Sequence, residues 1–406
     1  MADTLQEFET PDAATKAAQA LETYQQKTDD LVGEKLTLNM GPSHPATHGV
    51  LRLILELDGE VISKADPDVG YLHRGDEKIA ENMQYNQFVP YTDRLDYLAP
   101  LANNVAYACA VEKLMGWELP PRGQAVRVIC CELARISSHL LGVGCYAMDV
   151  GAMTVFLYTF TQRETVYDLC EQISGARFTT SYTRVGGQTR DISEDTIKGV
   201  LKFCDEVSEV IEEVDQLLSR NPIFIGRTQD VGFISKEDAI GYGLTGPNLR
   251  GSGVDFDMRK NHPYLGYEQY DFDIPVGKVG DCYDRYQVRM EEMRQSANMV
   301  LEALDKIPGG AETHHAPDDP AILAKAPVRA PEGASSIHRF EDSRGEAAFH
   351  IIGGGEQRGK YPYRISIRSP MFITIPYVTK VLIGHKIADI PAIFGSFDPC
   401  IGETDR

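Results

Sequence analysis

Three long stretches of this chain repeat apolar residues at the spacing of a single helix face, and a bundle is the arrangement that buries all three. Ile129, Leu133, Ile136 and Leu140 recur at intervals of 4, 3 and 4. Ile197, Val200, Leu201, Cys204, Val207, Ile211, Val214 and Leu218 form a longer stripe, and Tyr286, Met290, Met293, Ala297, Val300 and Leu304 a third. A period near 3.6 marks an amphipathic helix whose stripe must face a partner. Ser193, followed by Glu194 and Asp195, supplies an N-cap and first-turn acids that suit the positive end of the helix dipole. Packing these faces together predicts a central helical bundle.

The flanks read differently. Leu36, Leu38 and Met40, then Leu51, Leu53, Leu55 and Leu57 alternate with Arg52, Glu56 and Asp58, the period of a strand with one buried face. Near the other end, residues 349–352 and Tyr363, Ile365 and Ile367 repeat the pattern, joined by a Gly-rich hairpin over 353–359. The expectation is an α+β fold, with a helical centre and small antiparallel sheets at both ends. Its divisions are a polar extension (1–32), an N-terminal β region (33–72), the bundle (73–306), an irregular Pro/Gly/Ala-rich link (307–335) and a C-terminal β region with its tail (336–406).

Composition narrows the function. The net charge of -20 lacks the basic footprint that nucleic acid needs, and it argues against a polybasic patch on an anionic membrane. No apolar run approaches the ~18 residues of a membrane span, so association with a membrane is expected through partner subunits. The first thirty residues hold seven acids and no Arg, unlike a mitochondrial presequence, which reads as an untargeted bacterial protein. The eight cysteines form no CxxC pair, so zinc-ribbon, thioredoxin and cubane-cluster patterns are missing and buried free thiols are expected. Gly353-Gly354-Gly355 leads from strand to strand, and no phosphate-cradling Gly motif opens a helix. A redox role would therefore need electrons from a neighbour.

Three places invite chemistry. His44 and His48 share a loop over 41–49 whose two prolines exclude a helix, and Pro45 stands where a zinc protease carries its Glu. The open readings are a turn capped by imidazoles or a His presented to a cavity as a proton donor. Tyr97 alone reads as an amphipathic core residue with its hydroxyl satisfied. Asp149 ends an apolar helix among apolar neighbours, so a partner is expected for its carboxylate.

Five runs carry more information together. They are MGPSHPATHGVLRL (40–53), GYLHRGDEK (70–78), PYTDRLDY (90–97), DVGAM (149–153) and DPCIGETDR (398–406). In this order the chain resembles, over roughly 33–406, the 49-kDa-type (D) subunit family of respiratory complex I, which is similar in fold to the large subunit of [NiFe] hydrogenases. A hydrogenase needs four thiolates from two CxxC motifs, because soft metals need soft ligands. Here Asp96 and Ala99 stand at one motif, and at the other Cys400 is paired with Glu403. The hydrogenase alternative is disfavoured on that ground, metal ligands are expected to be none, and Cys400 reads as a relic or packing residue.

The resemblance implies a subunit of proton-translocating NADH:quinone oxidoreductase, inactive alone, with a quinone headgroup between His48 and Tyr97. It implies that Asp149 bonds the His48 imidazole and resupplies its proton, that His44 borders the quinone, and that Arg74, Gly75 and Glu77 face the subunit carrying the terminal iron–sulfur cluster. Implied partners are that iron–sulfur (B-type) subunit, the C-type 30-kDa subunit, the I-type ferredoxin-like subunit and the membrane-embedded H-type subunit. NADH, FMN and iron–sulfur clusters would sit in partners and none in this chain, with quinone as substrate. The implied location is peripheral, on the cytoplasmic face of the bacterial inner membrane. A quinone-free scaffold subunit is the remaining alternative. Residues 310–360 depart from the family pattern, with SRGE (343–346) a partial match, and are expected not to touch the site.

Overall fold

The computed structural model describes residues 35–309, 328–354 and 359–406. The extension read over 1–32 and most of the link read over 307–335 lie outside the described residues. The N-terminal sheet is a meander of β1 (Leu36–Met40), β2 (Arg52–Asp58) and β3 (Val61–Asp68), antiparallel throughout, with Leu38 opposite Leu55 and Leu55 opposite Ala65. Strand β3 is not marked by alternation in the sequence. A register shift between Glu56 and Leu57 breaks its period, and Pro67 is tolerated because β3 is an edge strand.

After two short helices, α1 (Asp76–Glu81) and α2 (Tyr85–Thr92), come α3 (Pro100–Met115), α4 (Pro121–Asp149) and α5 (Met153–Ser174), then α6 (Glu194–Leu218) and α7 (Cys282–Asp305). Helix α4 is the axis of the bundle and packs against α3, α5 and α7, while α6 lies across α5 and α7. Ser193 caps α6 as its sequence suggests, its Oγ accepting from the Thr196 amide at 3.1 Å. The α6 stripe is narrower than the sequence reading: Leu201 is 39% exposed, and the neighbouring Phe203 is the buried residue.

Helix α4 also corrects the reading that no segment is long and apolar enough to span a membrane. It contains a window that qualifies by length and composition, but 89% of that window is buried within the protein. Its buried charges are therefore paired internally, as burial demands. Arg127 makes a two-pronged bond to Glu112 at 2.6 Å on each arm, and Glu132 accepts from Arg259 (3.0 Å), Tyr267 (2.6 Å) and Ser296 (2.6 Å). His139 meets Glu292 at 2.8 Å, and Glu292 in turn binds Arg250. These bonds fix the rotation of α4, and hence where its last residue, Asp149, points.

The C-terminal sheet joins β4 (Ser335–Asp342), β5 (Gly345–Ile352) and β6 (Arg364–Arg368) in that order, with α3 packed on β4 and β5. The chain then runs through α8 (Pro370–Leu382), α9 (Ile390–Ser396) and α10 (Ile401–Asp405). This tail threads back through the molecule. Helix α9 packs on α4 and on the His loop, and Gly49 lies so close to Ile401 that a Cβ there would sit 2.8 Å from Cγ1.

Candidate functional site

The His loop connects β1 to β2 around one 3-10 turn, Pro45–Thr47. His44 is its N-cap: Nδ1 accepts from the Ala46 amide at 3.2 Å, and the Thr47 hydroxyl donates to the His44 carbonyl at 2.7 Å. His48 ends the turn with φ +52°, a left-handed conformation rare in a residue with a side chain. The two readings of the loop thus divide between its histidines. His44 caps its own turn with an exposed imidazole, whereas His48 is turned inward, with its side chain 13% exposed.

There His48 Nε2 meets Asp149 Oδ2 at 2.5 Å. Asp149 closes α4, where the helix dipole disfavours a carboxylate, so the placement needs the imidazole opposite it. Gly395 of α9 backs the pair. A Cβ there would lie 3.2 Å from Asp149 Oδ2 and 3.6 Å from His48 Cε1, so glycine is what allows the tail to pass this close.

Tyr97 lies in the turn between α2 and α3, with its ring against Gly402, where a Cβ would come within 2.8 Å of Cδ1 and Cε1. His48 and Tyr97 therefore both border the Ile401–Gly402 stretch, the first through Gly49 and the second directly. The adjacent Cys400 sulfur, and then burial, push the Tyr97 phenol well above its ordinary range.

Beside Tyr97 sits a buried ionic cluster centred on Arg344. Its Nη1 reaches Asp96 at 2.6 Å and Ser138 at 3.1 Å, Nη2 reaches Asp398 at 3.0 Å, and Nε donates to the Asp398 carbonyl at 2.7 Å. Burial alone would raise the Asp398 carboxyl, but Arg344 and Arg289 hold it below its ordinary value. Burial and the nearby Asp96 carboxylate push Asp342 up to about 7 and Glu403 well above the carboxylate range.

Arg344 belongs to the 310–360 region, which was expected to stay clear of the site. It stands at the tip of the β4–β5 hairpin, and that tip reaches Asp96, the residue next to Tyr97. Sequence reasoning missed it because β4 hides its alternation: Ile337 points outward at 46% exposure while Ser336 points in. Gly395 was missed too. The usable signals were an Arg-Gly pair at a hairpin tip and a Gly within an apolar segment.

The structure does not bring Arg74 and Glu77 to the His48–Asp149 pair. Arg74 binds Asp76 and the Arg94 carbonyl, each at 2.7 Å, and Glu77 accepts from Arg364 and from the Ile367 amide, each at 2.8 Å. The Arg74 and Gly75 amides both donate to the Arg406 carbonyl at 3.2 Å, which ties this segment to the tail.

Comparison with known proteins is consistent across the chain. Residues 149–406 match the family model of the respiratory-chain NADH dehydrogenase 49 Kd subunit. The D-type subunit of NADH-quinone oxidoreductase from Methylacidiphilum infernorum is 58% identical over 391 residues, spanning 92% of this chain and 93% of that protein. Its counterpart from Akkermansia muciniphila is 54% identical over 400 residues, spanning 94% and 96%. A D-type subunit of the same enzyme from Opitutus terrae is 51% identical over 426 residues, spanning 98% and 99%.

Proposed function

The chain belongs to the 49-kDa (D-type) subunit family of respiratory-chain NADH dehydrogenase, and from that premise we propose that it forms one wall of the site where the complex reduces quinone. It is a component of an NADH-quinone oxidoreductase, an oxidoreductase complex. The observation that carries the site is the His48–Asp149 pair at 2.5 Å, delivered by a loop and by the end of the long buried helix α4.

A quinone becomes a quinol by taking up two electrons and two protons, one proton on each carbonyl oxygen. Asp149 engages Nε2 of His48, which leaves Nδ1 to meet one carbonyl. An imidazolium held against Asp149 can release its Nδ1 proton and keep Nε2–H, so the carboxylate sets the tautomer and the aim of the ring. Tyr97 supplies the second proton. A phenol held strongly in its neutral form gives up its proton only to an acceptor as basic as a reduced quinone oxygen. His44 is assigned a bordering role, through the turn that sets His48.

Electrons would come from the terminal iron–sulfur cluster of the B-type subunit across the Arg74–Glu77 segment. The C-type and I-type subunits and the membrane-embedded H-type subunit complete the surroundings, with NADH, FMN and iron–sulfur clusters held by partners. The complex would place this chain peripherally on the cytoplasmic face of the inner membrane.

The test removes one oxygen atom. Tyr97→Phe in the assembled complex should lower NADH:quinone activity about ten- to a hundred-fold, while NADH:ferricyanide activity holds. If both activities are unchanged, the quinone reading fails and the scaffold reading replaces it.

A further inference from the structure

Arg163 on α5 is 5% exposed, yet little in the chain holds its charge. Its Nε donates to the Ser137 hydroxyl at 3.4 Å, and no carboxylate among the described residues pairs with it. Glu164, its neighbour in sequence, binds Arg177 instead. The two Nη nitrogens of Arg163 make no hydrogen bond among the described residues, and neither is sealed from solvent.

Every other equally buried arginine among the described residues binds a carboxylate or two backbone carbonyls. Arg289, the least favoured of them, still takes the carbonyls of Arg285 at 3.2 Å and Ser396 at 2.6 Å. A buried cation without a counter-charge is costly, so Arg163 is an open socket for an anion.

The socket opens beside an uncovered apolar row. Met153, Phe156, Leu157 and Phe160 recur at i, i+3, i+4 and i+7, the spacing of one helix face. That face points outward: Met153 and Leu157 are more than half exposed, and both phenylalanines are half-buried. Phe156 and Phe160 pack with ring centroids 4.1 Å apart, and the Arg163 guanidinium carbon lies 5.6 Å from the centre of the Phe160 ring. Cation and apolar row therefore form one continuous surface.

We infer that this face of α5 seats a neighbouring subunit of the complex, which lays apolar side chains on the row and inserts one Asp or Glu carboxylate against Arg163. Charge complementarity selects this occupant. A purely apolar segment would bury the cation further with nothing opposite it, whereas a carboxylate matches the planar fork with two parallel bonds.

Arg163→Met separates docking from an internal role. In the full-length chain alone, an apolar side chain in place of an unpaired buried cation should leave the unfolding temperature at or above the parent's. In membranes the same variant strands the partner's carboxylate, and assembled complex should fall about ten-fold or more. Arg163→Lys, which keeps the charge, should recover part of that loss.

An unfolding temperature well below the parent's would make Arg163 an internal strut and overturn the proposal. Undiminished assembly would overturn it too, and a raised quinone KM with normal assembly would assign the cation to the substrate instead. Should the free chain prove insoluble, a structure of the parent complex decides. An Asp or Glu oxygen of a neighbouring subunit on the guanidinium supports the docking role, and a lipid phosphate, a quinone or water alone there refutes it.

Discussion

Asp149→Asn is expected to lower quinone reduction about a hundred-fold or more, within the range of general acid–base contributions, and to leave NADH:ferricyanide activity intact. The substitution conserves shape, and the side chain is only 12% exposed, so the packing of Gly395 against the pair should survive. What changes is charge. Asn still accepts from Nε2 but carries no charge to balance an imidazolium formed on His48 during the proton transfer. The amide can also present its NH2 to Nε2, which would select the wrong tautomer. Comparing the two activities in membranes from the parent and the variant checks this. Unchanged quinone reduction would make the pair a structural latch between the His loop and α4.

Arg344→Leu is expected to have the larger effect on stability. Removing one partner of a buried ion pair costs about 3–5 kcal/mol, because the remaining charge is left uncompensated. Here Asp96 loses its counter-charge and Asp398 the nearer of its two, keeping only Arg289. Native stability is about 5–15 kcal/mol, so the variant chain should fail to accumulate in assembled complexes. Pairing Arg344→Leu with Asp96→Asn removes one orphaned charge and should recover part of the loss. Lys at this position should recover little, since a single ammonium lacks the fork that spans both acids. Quantifying assembled complex in membranes tests all three, and normal accumulation of Arg344→Leu would contradict the account of the cluster.

How far the sequence could be read follows from what each element buries. The helices were legible because each turns one apolar stripe to its neighbours, and the α6 cap was legible because Ser193 with its following acids is a local device. The His loop was legible as a loop because its prolines and glycines exclude regular structure. Strands β3 and β4 were not, for local reasons: a register shift in one, and in the other an inward Ser336 beside an outward Ile337. The site was only half legible. Asp149 stood out as a carboxylate in an apolar setting, whereas Tyr97 looked like any amphipathic aromatic, and its significance came from the family resemblance. Arg344 could not be found from its own neighbourhood, because its partners Asp96 and Asp398 lie 248 and 54 residues away. Long-range ion pairs leave no periodic trace.

The most direct measurement is a structure of the assembled complex with a short-chain quinone bound. The account predicts one carbonyl oxygen within about 2.6–3.2 Å of the Tyr97 hydroxyl and the other at the same range from Nδ1 of His48, with Asp149 still on Nε2. A headgroup resting elsewhere, with His48 and Tyr97 keeping the partners they have in the quinone-free chain, would contradict it.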